Sequence, residues 1–309
     1  MLRYIVRRVL FLIPVLLGVA FCVFTLLYLT PGDPARMVLG DLATEDAVQE
    51  FRNREGLNDP FLVQFGNYVW KAVTKGDIGR SYITKRSVAQ EVLAVFPATL
   101  KLSALAMLIA ILVGLPCGIL SAIKQYSLFD TVTMIFAMIG LSMPVFWLGL
   151  LLILLFSVHL RWLPSSGFGT FKAMILPAVS LSAQAISMVT RMTRSSMLEV
   201  IRADYIRTAR AKGQKEFVVI WVHALHNALI PVVTLCGLQF GHLLAGAILT
   251  ESIFAIPGIG RLMVTSIMQR NYPVVQGGVL FIAIAFSIVN LLVDLVYAYI
   301  DPRIKAQYK

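Results

Sequence analysis

The stretch TLKLSALAMLIAILVGLPCGILSA, residues 99–122, holds one charged side chain, Lys101, close to its start. As a helix it is about 36 Å long at a rise of about 1.5 Å per residue. The hydrocarbon core of a bilayer is about 30 Å thick and takes about 20 apolar helical residues to cross. Working outward, five more runs meet the same test: 9–29, 131–158, 174–192, 229–250 and 278–300. The composition agrees with them. Of 309 residues, 58% are hydrophobic and 14% charged, and mean hydropathy is +0.81. A soluble domain carries about 45–50% apolar and about 25% charged residues. Too few charges remain to cover a soluble particle, which excludes a soluble enzyme, a disordered tail, a collagen and a disulfide scaffold. Cys22, Cys117 and Cys236 lie singly inside apolar runs. They read as small hydrophobes, not as a disulfide framework or a zinc site. The sequence predicts an all-α polytopic membrane protein with six transmembrane helices.

The first run follows Arg3, Arg7 and Arg8, as a signal peptide would. Its apolar stretch is longer than a typical h-region and no small-x-small cleavage site follows, so it reads as an uncleaved first helix. The net charge of +11 would point to nucleic acid in a soluble protein. Here its placement fits the excess of Lys and Arg on the cytoplasmic side of membrane proteins, and no nucleic-acid partner is expected. With the N-terminus inside, the inner segments hold fourteen Lys and Arg and the short outer loops four. Both termini are therefore expected in the cytoplasm, which an even number of crossings requires.

These readings divide the chain into an N-terminal arm with the first helix (1–30), an extracytoplasmic segment (31–98), a five-helix core (99–300) and a cytoplasmic tail (301–309). The 31–98 segment has eight basic and nine acidic residues. Phe51, Phe61, Phe65, Tyr68 and Trp70 punctuate it, a pattern that predicts a small ordered cap, not a linker. The inner loop 193–228 within the core is strongly basic. Its stretch Asp204-Tyr-Ile-Arg-Thr-Ala-Arg-Ala-Lys-Gly213 reads as a short helix of good helix formers, closed by a glycine able to turn left-handed. A following stretch, Lys215 to His226, offers Phe217, Val218, Ile220, Trp221 and Leu225 as an apolar face against the membrane ends of other helices. Two readings stand side by side. The short helix is held out into the cytoplasm on a packed support, or it lies on anionic lipid.

The segment Arg207-Thr-Ala-Arg-Ala-Lys-Gly213, with His223-Ala-Leu-His-Asn-Ala-Leu-Ile-Pro231, resembles the inner-loop motif of ABC-importer permeases. That motif runs Glu-Ala-Ala, three residues, Gly, and a later apolar-x-Leu-Pro. Arg207 stands where the Glu would be, and Pro231 lies 18 residues after the glycine. Both departures are typical of the dipeptide/oligopeptide/nickel branch. Further matches run along the chain: Pro31-Gly-Asp-Pro34, Gly56-Leu-Asn-Asp-Pro60, Gly76-Asp-Ile-Gly79, Trp162-Leu-Pro164, Arg191-Met-Thr-Arg-Ser-Ser196, Phe254-Ala-Ile-Pro-Gly-Ile-Gly260, Arg270-Asn-Tyr-Pro273 and Asp301-Pro-Arg-Ile304. The long segment after the first span resembles the B-type of the branch's two permease subunits.

The resemblance implies a type I ABC-importer permease fold in a bacterial or archaeal cytoplasmic membrane. It implies a heterodimer with a sister permease, two cytoplasmic ATPases and an extracytoplasmic solute-binding protein. Arg207, Thr208, Ala209, Lys212 and Gly213 would form the helix that enters a groove on one ATPase and passes its closure to the membrane helices. No cofactor is expected on this chain; ATP and Mg would bind the ATPases. Di- and oligopeptides are the leading substrate class, with glutathione and chelated nickel as alternatives.

Glycine is never followed by lysine here, so no phosphate-cradling Gly-x4-Gly-Lys loop exists. His223 and His226 have no third ligand nearby in sequence and read as surface or packing residues, so no metal site is expected. The small-x3-small patterns Gly114-x3-Gly118 and Gly237-x3-Gly241 predict close helix packing. Pro116, Pro144 and Pro177 either free carbonyls to line a cavity or kink a helix. Ionisable groups within spans are functional candidates. Asp294 is expected to tie structurally to Arg191, which ends the fourth span on the same side. His242, Gln239 and Gln184 offer hydrogen bonds either to a substrate in a polar cavity or between helices. Two rival functions fit less well. A self-sufficient secondary transporter calls for internal repeats and charged midplane residues, and an intramembrane enzyme calls for a converging catalytic pair; neither is apparent.

Overall fold

The computed structural model describes residues 2–40 and 42–300, with side chains for 10–40, 42–293 and 295. Among these residues the chain forms helices, with one isolated β-bridge between Arg80 and Ser87. The order is α1 (Leu2–Leu29), α2 (Pro34–Leu39), α3 (Glu45–Glu55), α4 (Phe61–Lys75), α5 (Val88–Ile123), α6 (Leu128–Ser142) and α7 (Val145–Leu152), which continues as a π-helix over Ile153–His159. Then come α8 (Phe171–Ile201), α9 (Asp204–Ala211) and α10 (Glu216–Val218), which runs through a π-helical Val219–Ala224 into α11 (Leu225–Ile253). Last are α12 (Ile259–Met268) and α13 (Tyr272–Ile300).

Five stretches are long and apolar enough to cross a membrane: Leu10–Leu29, Val88–Ile123, Phe171–Ile201, Glu216–Ile253 and Tyr272–Val293. The expected span over 131–158 is not a straight rod. α6 and the α7 stretch meet at an angle of 106°, and counted as one broken span they make six. The break falls at Met143-Pro144, with Met143 extended at ψ 126°. Proline removes a backbone donor and disfavours helical geometry in the residue before it. Pro14, Pro177 and Pro231 sit inside their helices without ending them. Several helices outrun the expected spans, because hydropathy marks only the apolar part of a helix.

The chain separates into two compact units. In the unit built from Leu100–Ile256 with Ile288 onward, α8 is the central helix and packs against α11, α6 and α7. Its buried face is rich in small and hydroxyl side chains, including Ala178, Ser180, Ala185, Ser187, Thr190 and Thr193, with Leu176, Leu181, Val189 and Met197 among them. Several hydroxyls are satisfied within the helix: Ser180 Oγ donates to Pro177 O at 2.9 Å and Thr190 Oγ1 to Ile186 O at 2.8 Å. Lipid tails are as apolar as leucine, so helices in a membrane associate through close packing, which small residues allow. Gly118 of α5 is one such point. A Cβ there would lie 2.6 Å from Thr193 Cβ and 2.7 Å from Thr190 O. Gly118→Leu should therefore push α5 off α8, at an overpacking cost of at least about 1–3 kcal/mol, and lower the monodisperse peak of a fluorescent fusion severalfold. Gly118→Ala should fall between it and the parent. Full yield of Gly118→Leu would mean that the two helices do not approach this closely.

The other unit comprises Leu2–Thr99 and Pro257–Ser287. Its part of the 31–98 segment is ordered around Ala35, Val48, Phe51 and Tyr82, all buried. Asp33 caps α2 by accepting from Ala35 N at 3.0 Å, and its other oxygen accepts from Arg52 Nη2 at 2.8 Å. Burial works against the Asp33 charge, but Arg52 and the Ala35 amide outweigh it and hold the carboxyl below the usual carboxylate range. The tie is thus present at neutral pH, and its contribution is lost only as the pH falls through that lowered value. Residues far along the chain stitch the same unit. Asn271 donates to Ser81 Oγ at 2.8 Å and accepts from Tyr82 N at 3.0 Å, and Ile259 N donates to Thr99 Oγ1 at 2.9 Å. Arg270 donates to the carbonyl of Pro31.

Candidate functional site

α9 follows an extended Ala203 and carries Asp204 in its first turn, where a carboxylate meets the positive end of the helix dipole. One residue anchors it. Ile206 is fully buried among Ile119 and Ala122 of α5, Met197 of α8, and Val219, Ile220, Ala224 and Ala228 at the head of α11. Ala209 packs on the same cluster. α9 therefore stands on a pedestal made by the ends of three long helices. Gly213, at φ +76°, ends the segment in the left-handed region.

Polar ties fix the turn that follows. Arg210 grips Glu216 with two bonds, Nε to Oε2 at 3.1 Å and Nη2 to Oε1 at 2.6 Å. His223 shares a hydrogen bond with Gln214 at 2.7 Å, and Asn227 donates to Tyr205 OH at 2.8 Å. The outward face is then clear. Arg207, Thr208, Lys212 and Gly213 are exposed, whereas Ala209 is half-buried against the pedestal. Arg207 reaches only exposed Asp204, at 3.4 Å, a contact that screening makes weak. The arrangement leaves a basic face exposed on a helix seated on the packed cluster.

The expected apolar face of 215–226 is differently composed. Val219, Ile220 and Ala224 face inward and Leu225 packs beside them, while Phe217 and Trp221 are exposed. The π-helical stretch bonds i to i+5, so its inward face does not follow the ordinary helical spacing. His226 is exposed, and among the described residues no group of three or more His, Cys, Asp or Glu is placed to hold a metal ion.

Gln184 of α8 and Gln239 and His242 of α11 line one cavity of about 270 Å³. Val145 and Phe146, just beyond the Pro144 break, form part of its wall with Leu181 and Leu243. A mostly apolar hollow with a few convergent polar groups is the usual form of a small-molecule site. The expected tie between Arg191 and Asp294 involves a side chain, Asp294, that lies outside the described residues. Arg191 is exposed.

A different ion pair occupies α8. Arg194 Nε donates to Asp130 Oδ1 at 2.6 Å and Nη2 to Oδ2 at 2.7 Å. Asp130 sits at the start of α6, its side chain 4% exposed, and accepts also from Ser121 Oγ and from Tyr126 N, the latter at 3.0 Å. Tyr126 adopts φ +63° to aim that amide. Arg202 Nη2 donates to Gln125 Oε1 at 3.1 Å. Together these bonds clamp the α5–α6 turn to α8, on the same side as α9's pedestal. The sequence carried one sign of it, the Ser127-x-x-Asp130 pattern that caps helix starts, with Ser127 Oγ indeed accepting from Asp130 N at 3.2 Å.

Comparison with known proteins accounts for this architecture. The family model "Binding-protein-dependent transport system inner membrane component" matches residues 114–306, and its N-terminal companion matches 1–103. The chain is 45% identical to a dipeptide transport system permease protein of Alkalihalophilus pseudofirmus, over 99% of this chain and 100% of that one. It is 44% identical to a di/tripeptide transport system permease protein of Pseudomonas aeruginosa, over the same shares. It is also 45% identical to a glutathione transport system permease protein of Salmonella choleraesuis, over 99% of each chain. In fold it matches the MetNI methionine ABC transporter in inward-facing form at a TM-score of 0.60 and 18% identity, covering 69% of this chain and 97% of that one. That likeness identifies the broken and continuous spans as a type I importer permease fold. A chain so matched over nearly its whole length belongs to the binding-protein-dependent transport system inner membrane components, as a non-catalytic permease subunit of an ABC importer, a class that works with an ATPase and a binding protein.

Proposed function

We propose that this permease forms half of the translocation path for small peptides of two or a few residues, in a bacterial or archaeal cytoplasmic membrane with both termini cytoplasmic. A sister permease supplies the other half. Two ATPases bind ATP and Mg, and an extracytoplasmic protein delivers the peptide. The observation that carries the reading is α9, a helix anchored by buried Ile206 with Arg207 and Thr208 exposed on it and Lys212 and Gly213 exposed just past its end. An exposed basic helix with a rigid base suits a groove on an ATPase better than a lipid surface, since its apolar residue is spent on the pedestal. Peptide as cargo is supported by relatives of about equal identity named for dipeptides, di/tripeptides and glutathione, the last itself a tripeptide.

The test is reconstitution of the complete importer in liposomes. Binding protein loaded with a dipeptide should stimulate ATP hydrolysis and drive uptake; stimulation by a nickel chelate but by no peptide would overturn the cargo. Gln184, Gln239 and His242 line the path in this reading. Replacing Gln184 and Gln239 together with Leu should raise the KM for peptide severalfold while the ATPases still co-purify. Unchanged KM would remove them from the path. Orientation is checked with single cysteines at exposed Lys75 and Gln214, in a chain lacking the native three. They should label from opposite faces, Gln214 from the cytoplasmic one.

A further inference from the structure

We infer that α4 is a membrane-interface helix, lying in the leaflet boundary at the Leu29 end of α1 with one apolar stripe in the phospholipid. The placement comes from α1, whose Leu10–Leu29 stretch is long and apolar enough to cross a membrane. Phe61 of α4 meets the rings of Phe21, Phe24 and Tyr28 at 5.8, 5.4 and 5.1 Å, and Phe65 meets Phe21 and Phe24 at 5.4 and 5.6 Å. Phe24 lies five residues before the end of that span, about 7.5 Å at 1.5 Å per residue. An interfacial helix buries its apolar face about 5–10 Å into the headgroup and acyl boundary. The aromatic contacts hold α4 at that depth.

The helix has three faces, as this position demands. Phe61, Phe65 and Tyr68 turn to α1, and burial there pushes the Tyr68 phenol up to about 12. Gln64, Asn67 and Lys71 line a polar cavity of about 860 Å³ on the cap side. The third face is Leu62, Trp70 and Val73, at 72%, 68% and 78% exposure, with Gly66 between them. These residues fall within about 80° of arc at 3.6 residues per turn. No acidic residue occurs in α4, and it ends in Lys71 and Lys75, cations that suit phosphate headgroups. Tryptophan at such a boundary is the common membrane anchor. Lipid is the occupant that the depth, the charge and the continuity with the α1 span all specify. The inference does not depend on which side of the membrane this boundary faces.

The test uses the assembled importer in lipid nanodiscs, with its other subunits free of reactive cysteines and Cys22, Cys117 and Cys236 replaced by Ala. Nitroxides are placed one at a time through Leu62→Cys, Trp70→Cys, Val73→Cys, Asn67→Cys and Lys71→Cys. Collision with oxygen should exceed collision with a water-soluble nickel complex severalfold at 62, 70 and 73, and the ratio should invert at 67 and 71. If nickel dominates at all five, the stripe faces water and the inference falls. If both reagents are excluded at 62, 70 and 73, a protein partner covers the stripe, and it falls equally. Where the cysteine-free chain fails to assemble, Trp70 is read instead. The isolated permease carrying Trp147→Phe, Trp162→Phe and Trp221→Phe should lose fluorescence in lipids brominated near the headgroup, and less in lipids brominated near the chain ends. Absence of bromine quenching overturns the assignment.

Discussion

Asp130→Ala should lower the stability of the folded permease more than any other single exchange of a polar residue considered above. Its removal strands the Arg194 guanidinium, which is 22% exposed and loses both of its bonds. Breaking a buried pair from one side costs about 3–5 kcal/mol. The Tyr126 amide and the Ser121 hydroxyl lose their acceptor as well. Thermal unfolding in detergent, followed by loss of the monodisperse peak, should shift down by many degrees. Asp130→Leu combined with Arg194→Leu should recover a large part of the loss, because neither charge is then left alone. Losses that simply add would show that the two residues act independently. The clamp holds the α5–α6 turn beside the α9 pedestal. The single variants that still assemble should therefore hydrolyse ATP with a reduced yield of transported peptide per ATP.

Gly213→Val should abolish most transport while leaving the permease inserted and folded. At φ +76° a side chain is strained, and the left-handed conformation costs an L-residue roughly 1–2 kcal/mol, more with a β-branch. No atom lies within 4 Å of a Cβ built there, so the penalty is one of backbone and not of crowding. That distinction has a consequence: Gly213→Asn, which tolerates the left-handed region, should keep most activity although it too adds a side chain. The relief of strain in Gly213→Val re-aims α10 and the exposed face of α9 together. Co-purification of the ATPases and peptide uptake should fall in parallel. Equal transport in the Asn and Val variants would separate the glycine from coupling.

Much of this was legible in the sequence, and the exceptions share a cause. Five spans stand out because a bilayer crossing is a local sum of hydropathy along one helix. α9 and its closing Gly213 stand out because helix formers followed by a glycine are also local signals. The 106° break was visible only as Pro144; its size depends on what the two halves pack against. Nothing local in the sequence marks Asp130 as half of an ion pair, since its partner Arg194 is 64 positions away. Asn271 likewise gave no sign that it would bond Ser81, 190 positions distant. Phe217 and Trp221 are apolar like their packed neighbours, and composition alone does not separate them from the inward Val219, Ile220 and Ala224. Hydropathy and period describe a helix alone in lipid, and these features are properties of helices meeting.

The hydroxyl-lined face of α8 has a consequence for how the chain is made. α8 is the least apolar of the five long spans and the most buried. During synthesis it emerges after α5, α6 and α7 but before α11, its most extensive neighbour. A nascent chain that has just completed Ile201 must therefore hold a weakly apolar segment in or beside the translocon, with one flank still bare. Once α11 arrives to cover that flank, release of α8 into lipid costs less, and the two helices should leave as a pair. The residues between them, which include α9, are then the turn of a hairpin during assembly.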